Sequence, residues 1–260
     1  MNPDLSYQPG PAVDQVDEVT RKHYRVETWA MEGSAGDRVL IDAHVPECID
    51  RIVIMGHGVD NSRKARYIEV SGKSFTRHRT AVASMDAPFH GDRSFTGTLN
   101  HPVGTQVDVL VRWVQDHRRL LDAVESRWPG VPLGFAGFSM GGLYGVPLVA
   151  VDGRIRSAAI VIAGSTRVSY PIRFGALDVA TLQVLEITDP AVHAAEVGDR
   201  PVLVLNADRD EIVPREAAVA LYNAFVGPKE QVFLPGSHTE WRHAARWFRR
   251  LEKFFEETLR

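Results

Sequence analysis

The sequence predicts one α/β domain: a mostly parallel central sheet, an antiparallel hairpin on its N-terminal side and helices on both faces. Three observations carry this. Short, unbroken apolar runs alternate with longer segments of helical spacing, the signature of βα units. The runs lack the in–out alternation of a half-wet sheet, as strands covered on both faces do. The chain has 260 residues, enough for one large core without requiring two.

The elements follow in order. Residues 1–20 are polar and contain proline, and read as a loosely held N-terminal arm; residues 21–260 read as the domain. Residues 23–31 and 38–45 flank the turn-rich Glu32-Gly-Ser-Ala-Gly-Asp37, which predicts an antiparallel hairpin. Buried strands are then expected at 51–55 (RIVIM), 80–85 (TAVASM), 132–138 (PLGFAGF), 157–163 (SAAIVIA), 201–206 (PVLVLN) and 231–234 (QVFL). Helical spacing runs through about 64–78, 105–127, 140–150, 215–226 and 240–258. In the second of these, Val107, Leu110, Val111, Val114, Leu121 and Val124 fall largely on one face. Crossovers between the parallel strands should be right-handed.

Composition narrows the function. Hydrophobic residues make up 44% and charged residues 24%, ordinary for a globular chain. A net charge of −3 gives no electrostatic reason to expect nucleic acid or an anionic membrane as partner. The arginines at 246–250 precede Glu252, Glu256 and Glu257 on one predicted helix and read as a solvated face. The single cysteine, Cys48, excludes an intramolecular disulfide and any zinc site built on two or four cysteines. Residues 1–10 have neither a basic start nor an apolar core, and no run approaches the roughly 18 apolar residues that span a bilayer. A cytoplasmic location is therefore expected, and a homo-oligomer is compatible with the sequence.

In parallel sheets, ligands bind beyond the carboxyl ends of the strands, so the residues after each apolar run are where chemistry is sought. Gly137-Phe138-Ser139-Met140-Gly141 fits G-x-S-x-G, in which a serine sits on a strained strand-to-helix turn. A sharp turn of this kind leaves no room for Cβ atoms two residues either side. A serine hydroxyl is a weak nucleophile until an adjacent base takes its proton. Of ten histidines, His238 follows the last strand and is the preferred base. His57 and His90 precede the serine, and His243 falls inside the last helix. The base needs a carboxylate to orient it. Asp210 is the preferred acid and Asp208, in the same loop after residue 206, the alternative. Acyl transfer also needs donors for a developing oxyanion. The glycines of Met55-Gly56-His57-Gly58-Val59 admit backbone N–H groups close to a substrate, and the Met140 amide opens the next helix.

With Gly56-His57-Gly58-Val59, the Ser139 motif, Asp210-Glu-Ile-Val-Pro214 and Pro235-Gly-Ser-His238 in this order, residues 23–260 resemble the α/β-hydrolase superfamily. They look closest to bacterial esterases and dienelactone-hydrolase-like or acyl-peptidase-like members. Asp86-Ala-Pro-Phe-His90-Gly91-Asp92-Arg93-Ser94 is similar to a D-x-x-x-H-G-x-x-S turn common there. The resemblance implies a hydrolase acting on a small acyl substrate through Ser139, Asp210 and His238. It also implies oxyanion donors at the amides of Val59 and Met140 and no cofactor; no metal is expected, since no cluster of His, Cys and carboxylate with ligand spacing appears. A thioesterase or acyltransferase would use the same triad, and a non-catalytic ligand-binding relative is the third reading. Many relatives insert a helical lid after the strand at 157–163. Here residues 164–200 leave room for a short helix near 177–186 plus a loop, which argues for an open site rather than lipase-like interfacial activation.

Overall fold

The computed structural model describes residues 3–10, 13–93, 103–240 and 244–260. In chain order these form β1 (Asp14–Thr20), β2 (Tyr24–Glu32), β3 (Arg38–Pro46), β4 (Arg51–Gly56), α1 (Arg66–Thr76), β5 (Thr80–Met85) and α2 (Val103–Arg127). Then come β6 (Leu133–Phe138), α3 (Met140–Val151), β7 (Ile155–Val161), α4 (Thr166–Phe174), α5 (Val179–Thr188) and α6 (Pro190–His193). The chain closes with β8 (Val202–Ala207), α7 (Arg215–Ala224), β9 (Lys229–Leu234) and α8 (Ala244–Thr258).

One sheet holds the strands in the order β1-β2-β3-β5-β4-β6-β7-β8-β9. The first three pair antiparallel, β3 meets β5 antiparallel, and every pair from β5 through β4 to β9 is parallel. The expected hairpin and parallel sheet are both present. Alternate residues of β4 feed opposite faces, because successive side chains of a strand point to opposite sides. Ile52 and Ile54 pack with Leu110, Trp113, Phe135 and Val146 under α2 and α3. Val53 and Met55 pack with Phe75, Phe138 and Phe255 under α1 and α8. All four β4 side chains are fully buried. Burying such side chains is worth roughly 1.5–3 kcal/mol each, which is why the central strands read as unbroken apolar runs.

Two expectations need correction. Residues 14–20, read as part of a loose arm, form the edge strand β1 on β2. Every residue of this strand is exposed. Its sequence DQVDEVT carries no burial signal, and pairing is decided by the backbone of β2. Residues 3–10 are also tied down: Leu5 is buried, Tyr7 Oη donates to Asp122 at 2.8 Å, and Arg118 donates to the Leu5 carbonyl at 3.0 Å. The second correction concerns residues 164–200, which fold into α4, α5, α6 and a 3-10 turn (Ala194–Val197) instead of one short helix plus a loop. Pro171 inside α4 hides that helix from a periodicity reading, because proline normally breaks one. Ser94 of the second turn motif and His243 lie outside the described residues.

Candidate active site

The nucleophile position is built by close backbone approach. Ser139 has φ 52° and ψ −113°, a sparsely populated conformation for a residue with a Cβ. Strain of this kind costs of order 1–3 kcal/mol and persists where the surroundings over-determine it. Here the Ser139 N–H donates to Val161 O and its carbonyl accepts from Leu143 N–H, both at 2.9 Å. The flanking glycines permit the turn. A Cβ on Gly137 would come within 2.3 Å of the Gly141 oxygen, and one on Gly141 within 2.3 Å of the Gly56 oxygen. Both obstacles are backbone, which cannot swing aside as a side chain can.

Ser139, His238 and Asp210 come together from three loops at the carboxyl ends of β6, β9 and β8. Ser139 Oγ lies 3.0 Å from His238 Nε2, and His238 Nδ1 lies 2.9 Å from each Asp210 oxygen. The Asp210 side chain is 1% exposed and that of His238 11%. Asp210 Oδ1 also accepts the N–H groups of Ile212 at 2.9 Å and Val213 at 2.7 Å, so its plane is held independently of the histidine. Asp208 does something different. Its Oδ1 accepts Gly236 N–H at 3.0 Å, bracing the loop that carries His238, and its side chain is 40% exposed. Glu211, which the sequence reading passed over, accepts the His238 backbone N–H at 3.1 Å.

The loop after β4 runs alongside the serine. A Cβ on Gly58 would sit 3.5 Å from Ser139 Cβ. The Gly58 N–H is already given to Tyr67 Oη at 2.8 Å, whereas no hydrogen bond among the described residues uses the Val59 N–H. Met140 N–H is the first amide of α3 and has no partner within the helix. Tyr67, another residue missed in the sequence, is buried, and burial raises its phenol to about 12. It is therefore a neutral hydrogen-bonding post beneath the loop.

His57 turns inward as a structural group, whereas His90, also buried, borders the cavity beside Ser139 that Met140 and Tyr144 line. His57 Nδ1–H donates to Gly58 O at 2.8 Å and Nε2 accepts Ala87 N–H at 2.9 Å, so a neutral ring has both nitrogens satisfied. Burial pushes it down to about 4. His90 is bonded through Nδ1 to Pro88 O at 2.8 Å. Behind them, buried Arg63 joins Asp42 at 3.1 Å, Asp86 and Asp92 at 2.8 Å. Asp86 Oδ1 also accepts Arg63 N–H at 2.8 Å. The loops after β4 and β5 are thus clamped together by Arg63 and Asp86. The Asp86-to-Gly91 turn motif was the only sequence signal of this clamp.

Two cavities meet at Ser139, and both are lined by Val59, Ile162 and Ile212. The larger, about 1210 Å³, contains His238 and Thr239. The smaller, about 350 Å³, contains Met140, Leu143 and Tyr144, with α4 as one wall. Among the described residues no group of three or more His, Cys, Asp or Glu is placed to hold a metal ion. No described helix is long and apolar enough to cross a membrane.

The family model described as Serine aminopeptidase, S33 (Hydrolase_4) matches residues 47–177, which hold the Gly56–Val59 loop and Ser139. The chain belongs to this family of α/β hydrolases. Asp210 and His238 lie beyond the matched stretch, and the fold brings them to it. Solved structures of similar fold include a PEG-bound cold-adapted esterase from an Arctic intertidal metagenomic library, with TM-score 0.77 and 22% identity over 95% of this chain and 100% of that one. An acetyl xylan esterase from Paenibacillus sp. R4 gives TM-score 0.75 and 18% identity, over 93% of this chain and 87% of that one. TT1662 from Thermus thermophilus gives 0.71 and 26%, over 90% and 98%. No curated protein matches the chain.

Proposed function

We propose that this S33-family chain hydrolyses carboxylic esters of small to medium substrates through an acyl-enzyme on Ser139. The observation that carries the reading is the unbroken relay from Ser139 Oγ to His238 Nε2 at 3.0 Å and on to Asp210 at 2.9 Å, placed where two cavities meet. His238 takes the hydroxyl proton as Oγ bonds to the carbonyl carbon, and Asp210 holds the ring with Nδ1 protonated and stabilises the imidazolium. The carbonyl oxygen becomes an oxyanion facing the amides of Val59 and Met140. On collapse the ester C–O bond breaks and the proton on His238 passes to the departing alcohol. Water, deprotonated by the same histidine, then attacks the acyl-enzyme and releases the acid and free Ser139. The substrate is a small acyl compound in the cytoplasm, and no cofactor enters the scheme. Esterase structures among the neighbours of similar fold support an ester in preference to a peptide bond.

The test is hydrolysis of short-chain chromogenic esters together with labelling by a fluorophosphonate. Wild-type protein should turn over the esters and carry the label on Ser139; Ser139→Ala should do neither while keeping its melting temperature. A label on another residue, or esterase activity surviving in Ser139→Ala, refutes the assignment. Adding primary alcohols to the assay separates hydrolysis from acyl transfer, since transfer would divert the acyl-enzyme to a new ester.

A further inference from the structure

Ser139 is not the only strained residue at the reaction centre. Ile162, directly after β7, has φ 46°. A β-branched residue in the left-handed region is a true outlier, because both Cγ groups crowd its own backbone. Glycine or asparagine takes such positions routinely. The conformation is pinned from the neighbouring strand, with Ile162 N–H donating to Leu205 O at 2.8 Å. The side chain is buried at 4% exposure, and it lines both cavities beside Ser139. Strain retained at a site usually serves the site.

We propose that Ile162 is held in this backbone so that its side chain divides the two halves of the substrate, acyl chain in the smaller cavity and alcohol in the larger. The assignment rests on the ester-hydrolase reading and follows from the proton path. The leaving oxygen must reach His238 Nε2, and His238 lines only the larger cavity. The carbonyl oxygen must reach the Met140 amide, and Met140 lines only the smaller one. The acyl chain, on the far side of the carbonyl carbon from the leaving group, continues into the smaller space. At about 350 Å³ that space is near the lower end of ligand sites, roughly 300–1,000 Å³, while about 1210 Å³ exceeds the upper end. Acyl length is therefore restricted and alcohol size is not, with Ile162 as the wall between.

Two ester series followed by pH-stat test this. One lengthens the acyl chain of ethyl esters; the other enlarges the alcohol of acetates. For wild-type protein kcat/KM should drop about tenfold or more once the acyl chain outgrows its cavity, and should change little along the acetates. In Ile162→Gly and Ile162→Ala, the long-to-short acyl ratio should rise at least fivefold. Because the ratio is taken within each variant, general damage cancels. Leu143→Ala, which enlarges only the smaller cavity, should relax acyl length and leave the alcohol profile as it was. Backbone strain is read separately: Ile162→Gly should melt a few degrees above Ile162→Ala, the reverse of the usual order. Acyl profiles of both Ile162 variants superimposing on wild type would overturn the dividing role. A Leu143→Ala effect confined to the alcohol series would overturn the orientation. Hydrolysis of some ester with neither effect leaves the ester-hydrolase reading standing and removes the wall. If the wild type cleaves no member of either series, both fail.

Discussion

Replacing Asp210 by asparagine isolates the carboxylate's charge from its packing. Asp210 Oδ1 holds two backbone donors, Ile212 and Val213, at 2.9 and 2.7 Å, while His238 Nδ1 lies 2.9 Å from both oxygens. The asparagine oxygen would keep the two backbone bonds, leaving its NH₂ facing His238 Nδ1. A donor there forces the ring to present a lone pair at Nδ1 and to carry its proton on Nε2. Nε2 then no longer accepts the Ser139 proton across 3.0 Å. By analogy with the serine-protease template, the loss is up to ~10⁴-fold in kcat, equivalent to about 5 kcal/mol of barrier. Stability should change by no more than about 1 kcal/mol, because the backbone bonds survive. The comparison is Asp208→Asn, whose amide oxygen still accepts Gly236 N–H; its kcat should stay within a few-fold of wild type. Steady-state kinetics on one chromogenic ester and a urea titration of each variant decide the matter. If Asp208→Asn is the more crippled, or Asp210→Asn retains a tenth of wild-type kcat, the tautomer argument is wrong.

Three further outcomes are expected. Gly141→Ala drives a Cβ to 2.3 Å from the Gly56 oxygen, and overpacking of about 1–3 kcal/mol should lower the melting temperature by roughly 3–10 °C and disable turnover; an unchanged melting curve would contradict the close approach. Arg63→Met leaves Asp86 and Asp42 buried without their cation, a change that typically costs about 3–5 kcal/mol; a urea midpoint within error of wild type would show that the clamp contributes nothing. Acid stability has a defined sign. Burial holds folded His57 at about 4 and His117 at about 3, below the ordinary value near 6.5, so between those limits the unfolded chain binds protons that the folded one does not. Stability from these rings is complete above about pH 6.5 and is lost as pH falls toward 4 and 3, at about 1.4 kcal/mol per unit for each ring. His117→Phe, which keeps a ring against Trp113 at the 3.5 Å stacking site, should shrink the difference in unfolding free energy between pH 7.5 and 5. An equal or larger difference in that variant would refute the linkage.

What the sequence determined by itself is what local chemistry dictates. Gly137, Ser139 and Gly141 were legible because a turn that tight excludes a Cβ whatever surrounds it. The parallel strands were legible because two-sided burial writes itself as unbroken apolar runs such as RIVIM and PVLVLN. The order serine, aspartate, histidine along three strand ends followed from the same pattern. The tertiary structure alone decided the rest. Asp208 and Asp210 are chemically identical and two residues apart; which one meets His238 depends on where the loops after β8 and β9 cross. Strand β1 gives no apolar signal because it is an exposed edge, held by backbone hydrogen bonds to β2, the next strand in the chain. Helix α4 conceals itself behind Pro171. Arg63 and Asp86 are 23 positions apart; the turn motif beginning at Asp86 marks one side of the pair, but nothing around Arg63 announces a pairing made only when two strand ends lie side by side. Ile162 is the clearest case. Its residue type disfavours the conformation it adopts, and only packing from the neighbouring strands and loops can override a local preference of that size.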